Sequence, residues 1–261
     1  MDDLYGFSPS GRLMQVDYAS NAVKKGQLCV GVQTKDGVVL ATENTASVLE
    51  VVPAKMEMIS KHIGCVFSGM GADFRVLVEK ARKIAMEHVT MHGEEITTAQ
   101  LVAKLGAIMQ EYTQCAPGRF ANPALAEYSG FSDVRTPDFG MQRFSSAQSW
   151  SGGTRPFGVS MLIAGFDRVN NPQLFQCTPS GDYSAWKAAA LGRNEENAKT
   201  FLEQRFNESL GLDDGIHAAL LTLRDSFEGG MTERNVEVAT CNSNGFQKLT
   251  KEQIKNHIAS L

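Results

Sequence analysis

The chain has 261 residues, 43% of them hydrophobic, enough to fill the core of one large domain. Its 25 basic and 29 acidic residues leave a net charge of -4 with no long basic run, which argues against nucleic acid or an anionic membrane surface as a partner. No apolar stretch reaches the roughly 18 residues a membrane helix needs, and the acidic start Met1-Asp2-Asp3 is opposite to a signal peptide's, so the expected location is the cytoplasm and nucleus.

In chain order, the first element is a turn punctuated by Pro9 and Gly11, followed by a short amphipathic helix with Leu13, Val16 and Val23 near one face. Lys24, Lys25 and Gly26 read as its basic last turn and C-terminal cap. The period then changes to two: Leu28, Val30 and Val32 alternate up to the Asp36-Gly37 turn, and Val38 to Ala41 return as the second strand of a hairpin. His62 to Phe67 is a further strand, joined through Ser68-Gly69-Met70-Gly71 to a helix carrying Leu77, Ala81, Ile84, Ala85 and His88 on one face. Thr97 or Thr98 caps the next helix, whose Leu101, Leu105, Ile108, Met109 and Tyr112 recur at helical spacing.

Val159 to Phe166 and Gln173 to Cys177 read as strands across an Asn170-Asn171-Pro172 turn, and Tyr183 to Leu191 as one more strand. A second helix pair follows, marked by Ala198, Phe201, Leu202 and Phe206, then by Ile216, Ala219, Leu220, Leu223 and Phe227. Val236 to Cys241 forms a strand, Asn244-Gly245 turns it back, and Thr250 with Gln253 makes a capping box for a last helix with Ile254 and Ile258. Helix pairs between antiparallel meanders favour two packed sheets with helices on both outer faces over alternating parallel units. Periodicity alone does not fix that stacking.

Residues 115–150 show no period and hold Pro117, Pro123 and Pro137 with the aromatics Phe120, Tyr128, Phe131, Phe139, Phe144 and Trp150. They read as a flexible surface loop, with a docking loop or a stretch missing from the native protein as the other readings. Chemistry-bearing motifs are few. Cys29, Cys65, Cys115, Cys177 and Cys241 are scattered without CxxC spacing and read as buried or idle thiols. His62, His88, His92, His217 and His257 have no paired ligand spacing and read as helix-face residues, so no metal or cofactor is expected. Gly69-x-Gly71 lacks the third glycine of a dinucleotide loop, its place being held by Phe74, and reads as a strand-to-helix turn.

Phe7 to Val23, in register without a gap, resembles the N-terminal signature of proteasome alpha-type subunits. Ser68 to Leu77, Met109 to Gln114, Arg155-Pro-Phe-Gly-Val-Ser160 and Pro179 to Lys187 are similar to further segments of that family. The resemblance implies an α+β fold, the four-layer αββα sandwich of two antiparallel sheets found in N-terminal nucleophile hydrolases, with an extra N-terminal helix. Residues 1–26 then form the tail and signature helix, and 27–261 a single αββα domain with the flexible insert at 115–150.

In that family Leu13, Gln15, Val16, Asp17 and Val23 belong to the ring-assembly helix, and Pro9 and Tyr18 match two members of the gate cluster. The other two, a Tyr and an Asp of the tail, have no counterpart, Tyr5 being the sole tail aromatic. The resemblance further implies a seven-membered ring with other alpha subunits, stacked on a beta ring, and pockets between alpha subunits that take the C-terminal tails of regulatory particles. Lys55 is similar in position to the lysine that pairs with those carboxylates; the other reading is a solvated strand-edge lysine.

Beta subunits of the same fold cleave peptides with an N-terminal threonine whose amine is the base. Aligned through Asp36-Gly37, this chain places Gln27 at the nucleophile and Glu43 at the supporting carboxylate, so no catalytic residue is expected. The competing readings are an active hydrolase of this fold, self-cleaved at Gly64-Cys65 or Gly153-Thr154, and a ring scaffold without beta partners.

Overall fold

The computed structural model describes residues 7–44, 54–113, 155–167, 171–226 and 230–261. The tail up to residue 6, the segment 115–150, Thr154, Asn170 and Phe227 lie outside the described residues. The first helix, α1, spans Met14–Lys24. Strands β1 (Cys29–Thr34) and β2 (Gly37–Glu43) form the expected hairpin, in register from Cys29 opposite Thr42 to Thr34 opposite Gly37. β3 (Met56–Ser60) and β4 (Ile63–Gly69) form a second one, of which only the latter strand is expected from the sequence. Helices α2 (Gly71–His92) and α3 (Thr98–Glu111) follow, then β5 (Val159–Asp167) and β6 (Asn171–Cys177).

The expected strand over Tyr183 to Leu191 is two strands in different sheets, β7 (Tyr183–Ala185) and β8 (Ala188–Leu191). The physical cause lies in two consecutive residues: Trp186 donates its N–H to the Leu174 carbonyl in β6, whereas the Lys187 carbonyl accepts from Gln33 in β1. The chain changes sheet between them. Helices α4 (Glu195–Arg205) and α5 (Leu212–Ser226) come next, with Phe206 just past the end of α4. β9 (Val236–Asn242), β10 (Gly245–Lys248) and α6 (Lys251–Ala259) complete the fold.

Among the described residues the strands form two antiparallel sheets of five, ordered β10-β9-β2-β1-β8 and β3-β4-β5-β6-β7. Three apolar layers follow from strand alternation, since successive side chains point to opposite faces. Cys29, Val38, Leu40, Val66, Leu162 and Leu174 lie between the sheets. Leu28, Val30, Val39 and Val238 face outward against Ala198, Leu202, Ile216, Leu220 and Ile254 of α4, α5 and α6. On the other outer face Cys65, Phe67, Met161 and Ile163 meet Phe74, Leu77, Leu101, Leu105 and Met109 of α2 and α3. This is the αββα sandwich. Strands buried on both faces explain the near-continuous apolar runs. Among the described residues no helix is long and apolar enough to cross a membrane.

The helix starts are locally encoded. Thr97 accepts from the Gln100 N–H while Gln100 accepts from the Thr97 N–H, and Thr250 and Gln253 repeat this capping box at α6. The start of α3 is pinned further by Asp167 at the end of β5, which accepts from the Thr98 N–H at 3.1 Å and the Thr98 hydroxyl at 2.9 Å. Gly69 at the β4–α2 turn has φ +116°, and an added Cβ would lie 3.1 Å from the Val159 Cα, so the strand-to-helix turn requires glycine there.

Candidate functional site

The signature segment begins as a closed turn. The Gly11 N–H donates to the Ser8 carbonyl at 2.8 Å and the Arg12 N–H to the Ser8 hydroxyl at 3.1 Å, with Gly11 at φ +75°. Pro9 is exposed at its tip. Along the turn and α1, Ala19 and Val23 are buried, Leu13, Gln15, Val16 and Asp17 are half-buried, and Phe7 before the turn and Met14 and Tyr18 on the helix face outward, Tyr18 with 54% of its surface exposed. The apolar stripe thus runs through Val16, Ala19 and Val23, with Leu13 at the N-cap rather than inside the helix. Phe7, Arg12, Leu13 and Val16 line a shallow groove of ≈ 240 Å³ against Thr113.

The C-terminal end of α1 departs from expectation. The cap is Lys25, in right-handed conformation, and Gly26 has ordinary φ. Gly26 is needed instead for close approach: an added Cβ would lie 2.6 Å from the Gly69 amide nitrogen and overlap the Ser68 hydroxyl. That hydroxyl is buried and donates to the carbonyls of Val23 and Gln27, at 3.1 and 3.0 Å. The Arg193 N–H donates to the Gly26 carbonyl at 2.9 Å. Gln27 therefore lies in a backbone packed between β4 and the segment after β8.

Around it stands a group of buried ionisable side chains. The hairpin register brings Glu43 beside Leu28, whose carbonyl accepts from the Glu43 N–H at 3.1 Å. Burial pushes the Glu43 carboxyl above its usual value, against the pull of the Arg193 guanidinium 3.5 Å away. Lys55 is 8% exposed, with Nζ 5.5 Å from the Phe67 ring centroid, which removes the solvated strand-edge reading. Burial pulls its ammonium below the usual lysine value, opposed by the charges of Cys29, Glu43 and Glu237. Among the described residues no carboxylate lies within ion-pair distance of it.

Glu237, from β9, accepts from the Asn44 side-chain amide at 2.7 Å through one oxygen, while its other oxygen and Glu43 Oε2 are buried without a hydrogen bond. Sequence reasoning placed Gln27, Glu43 and Lys55 but missed Glu237, Arg193 and Ser68. Their signal is the pairing of β2 with β9, which no local pattern carries.

Nucleophilic chemistry has little support in this arrangement. Gln27 offers a carboxamide, and the Cys29 thiol is wholly buried, donates to the Phe67 carbonyl at 2.9 Å and is pushed up by burial. Cys65 of the Gly64-Cys65 dipeptide sits inside β4, paired on both sides, with its thiol pushed up to about 12 by burial. A thiolate is the reactive form, and this one is suppressed. The described cysteines, Cys29, Cys65, Cys177 and Cys241, are free and buried. His62 is not on a helix face; it lies in the β3–β4 turn, its Nε2 3.0 Å from Glu95.

A second anchor holds the start of β5. Asp73 accepts from both terminal nitrogens of Arg155, at 2.6 and 2.8 Å, and from the Gly158 N–H at 2.9 Å. The guanidinium, more than the amide, holds the Asp73 carboxyl below its usual range.

Two five-stranded antiparallel sheets between helix layers, with α1 seated across β4 in front of the first hairpin, define a class of protein that the comparisons specify. The family described as Proteasome subunit matches residues 23–129 and 124–241, and the chain belongs to that family. Within it the chain is an alpha-type member, similar along its length to relatives named proteasome subunit alpha type-2. It is 57% identical to that of Caenorhabditis elegans over 100% of both chains. It is 44% identical to that of Drosophila melanogaster, over 98% of this chain and 94% of the relative, and 42% identical to that of Oryza sativa, over 97% and 93%.

Proposed function

We propose that this chain is a non-catalytic subunit of the outer ring of the 20S proteasome core. It assembles with other alpha subunits into a hetero-oligomeric, seven-membered ring stacked on the proteolytic beta ring. Its work lies in ring assembly, in gating the axial pore and in docking regulatory particles, and so in ubiquitin-dependent and ubiquitin-independent protein degradation in the cytoplasm and nucleus. The observation that carries this reading is α1: a closed turn and a helix anchored on Ser68, with Phe7, Pro9 and Tyr18 turned outward beside a groove. Such a face suits a neighbouring subunit.

Docking is supported by Lys55. A buried ammonium with no carboxylate at ion-pair distance among the described residues suits a terminal carboxylate, a charge-assisted contact of roughly 1.5–3 kcal/mol. The gate role rests on Pro9 and Tyr18 alone.

Size-exclusion chromatography of the native protein with mass spectrometry tests the reading. Co-elution with several alpha and beta subunits is the expected result. A chain that elutes without beta subunits, or hydrolyses peptides on its own, overturns it. Peptides from 115–150 in the same digest decide whether that segment is part of the native protein.

A further inference from the structure

The last helix crosses α5 at a pair of histidines unrelated to the cluster around Lys55. His257 Nδ1 lies 3.3 Å from His217 Nε2, and the rings meet edge to face, with centroids 5.4 Å apart and planes at 73°. The Ser260 hydroxyl is 3.1 Å from the same Nε2. Both rings are half-exposed, so ions reach them from solvent. The backbone beneath is firm: Ile216 and Ile254, each adjacent in sequence or one turn away, belong to the packed layer between these helices and the first sheet.

Two imidazole nitrogens so placed satisfy either of two geometries. One is a single N–H···N hydrogen bond in the metal-free pair. The other is one edge of a coordination tetrahedron: with zinc–nitrogen bonds of about 2.0–2.1 Å and tetrahedral angles, neighbouring ligand atoms stand roughly 3.3–3.4 Å apart. The observed spacing fits the second without movement of either helix. We propose that His217 and His257 form a clamp for a divalent transition-metal ion of the zinc, nickel and copper(II) class, with Nε2 and Nδ1 as ligands.

Imidazole donors select these borderline ions over magnesium or calcium, which prefer oxygen. The proton balance is simple. In the metal-free pair one of the two facing nitrogens carries a proton; on metal binding that ring changes tautomer and carries the proton on its outer nitrogen, so neutral imidazoles release none. Among the described residues no third His, Cys, Asp or Glu joins the pair, so Ser260 Oγ and water complete the shell. The site is a reversible one that joins α6 to α5, and its occupation stabilises the folded chain by mass action.

His88 and His92 on α2 provide an internal control. They are one turn apart with centroids 4.5 Å apart, and His88 Nδ1, 3.2 Å from the Glu94 carbonyl, leaves Nε2 to a metal, so this pair is the competing site that the variants must exclude. Isothermal titration of the full chain with zinc chloride alone should show saturable one-to-one binding. The His217→Gln and His257→Gln variants should each weaken it at least about tenfold, and His88→Gln should leave it unchanged.

On the unmodified chain, nickel should broaden the ring resonances of His217 and His257 first, a readout independent of how the variants fold. Absence of saturable binding, unaltered binding in both variants, loss in His88→Gln, or broadening confined to His88 and His92 overturns the assignment.

Discussion

The Ser68 hydroxyl lies 3.0 Å from the Gln27 carbonyl and 3.1 Å from that of Val23, so one side chain at the end of β4 ties the end of α1 to the start of β1. Replacing it with alanine strips a buried donor from both carbonyls without opening a large cavity. Ser68→Ala should therefore cost about 1–3 kcal/mol in urea unfolding of the chain, the range for buried acceptors left unsatisfied. Gly26→Ala should cost at least as much, because its Cβ collides with backbone at Gly69. An unchanged midpoint in both variants would show that α1 is held elsewhere.

The Asp73–Arg155 pair makes stability depend on pH in the acid range. The folded-state pKa of Asp73 is depressed, chiefly by the guanidinium, so its contribution is present above the unfolded value near 3.8 and is lost as pH falls through the folded value. Arg155 is more than half exposed, so solvent screens the pair and the contribution is on the order of 1 kcal/mol. Asp73→Asn should flatten the stability profile below about pH 4 and leave its shape near neutrality unaltered. Unfolding series across the acid range would reveal a slope identical to the parent's if the pair contributes nothing.

Thr98 and Gly165 form a contact that glycine alone permits. A Cβ at Gly165 would overlap the Thr98 hydroxyl, the same hydroxyl that donates to Asp167. Gly165→Ala should destabilise by about 1–3 kcal/mol through overpacking. Combined with Thr98→Ala the loss should be smaller than the sum, since the second change removes the hydroxyl that the added Cβ overlaps and the methyl that it meets at 2.7 Å, and leaves only the Thr98 Cβ, at 2.8 Å. Additive losses in the double-mutant cycle would show that the two sites do not interact.

These relationships also explain what the sequence reveals and what it hides. The capping boxes at Thr97 and Thr250 and the Asp36-Gly37 hairpin are local, and their residue types specify them. The split at Trp186-Lys187 is hidden because an apolar run reads as one strand, while the change of sheet depends on Leu174 and Gln33, distant in sequence. The same holds for the cluster around Lys55. Position indicates Lys55 and Glu43, but Glu237 joins them only through the register that sets Thr42 opposite Glu237. His217 and His257 likewise meet only because α6 packs back on α5.

Lys55 offers the sharpest functional test. Its Nζ stands over Phe67, and among the described residues no carboxylate pairs with it: Glu43 faces Arg193 at 3.5 Å, and Glu237 accepts from Asn44 at 2.7 Å through one oxygen. The ammonium is therefore buried at a net cost, which its lowered pKa records. Because the folded state holds this proton less tightly than the unfolded one, the group adds stability as pH rises toward the ordinary lysine value of 10.5. Lys55→Met should remove that alkaline rise and leave the isolated chain no less stable at neutral pH.

In the assembled particle the same substitution should act in the opposite sense. Loss of a charge-assisted contact of about 1.5–3 kcal/mol corresponds to roughly ten- to hundredfold weaker docking of an activator's C-terminal tail. Peptide hydrolysis stimulated by the activator should fall accordingly, with unstimulated hydrolysis unchanged. A particle carrying Lys55→Met that responds to activator as the parent does would exclude Lys55 from the docking pocket, because the stable fold of the variant leaves no other account of the result.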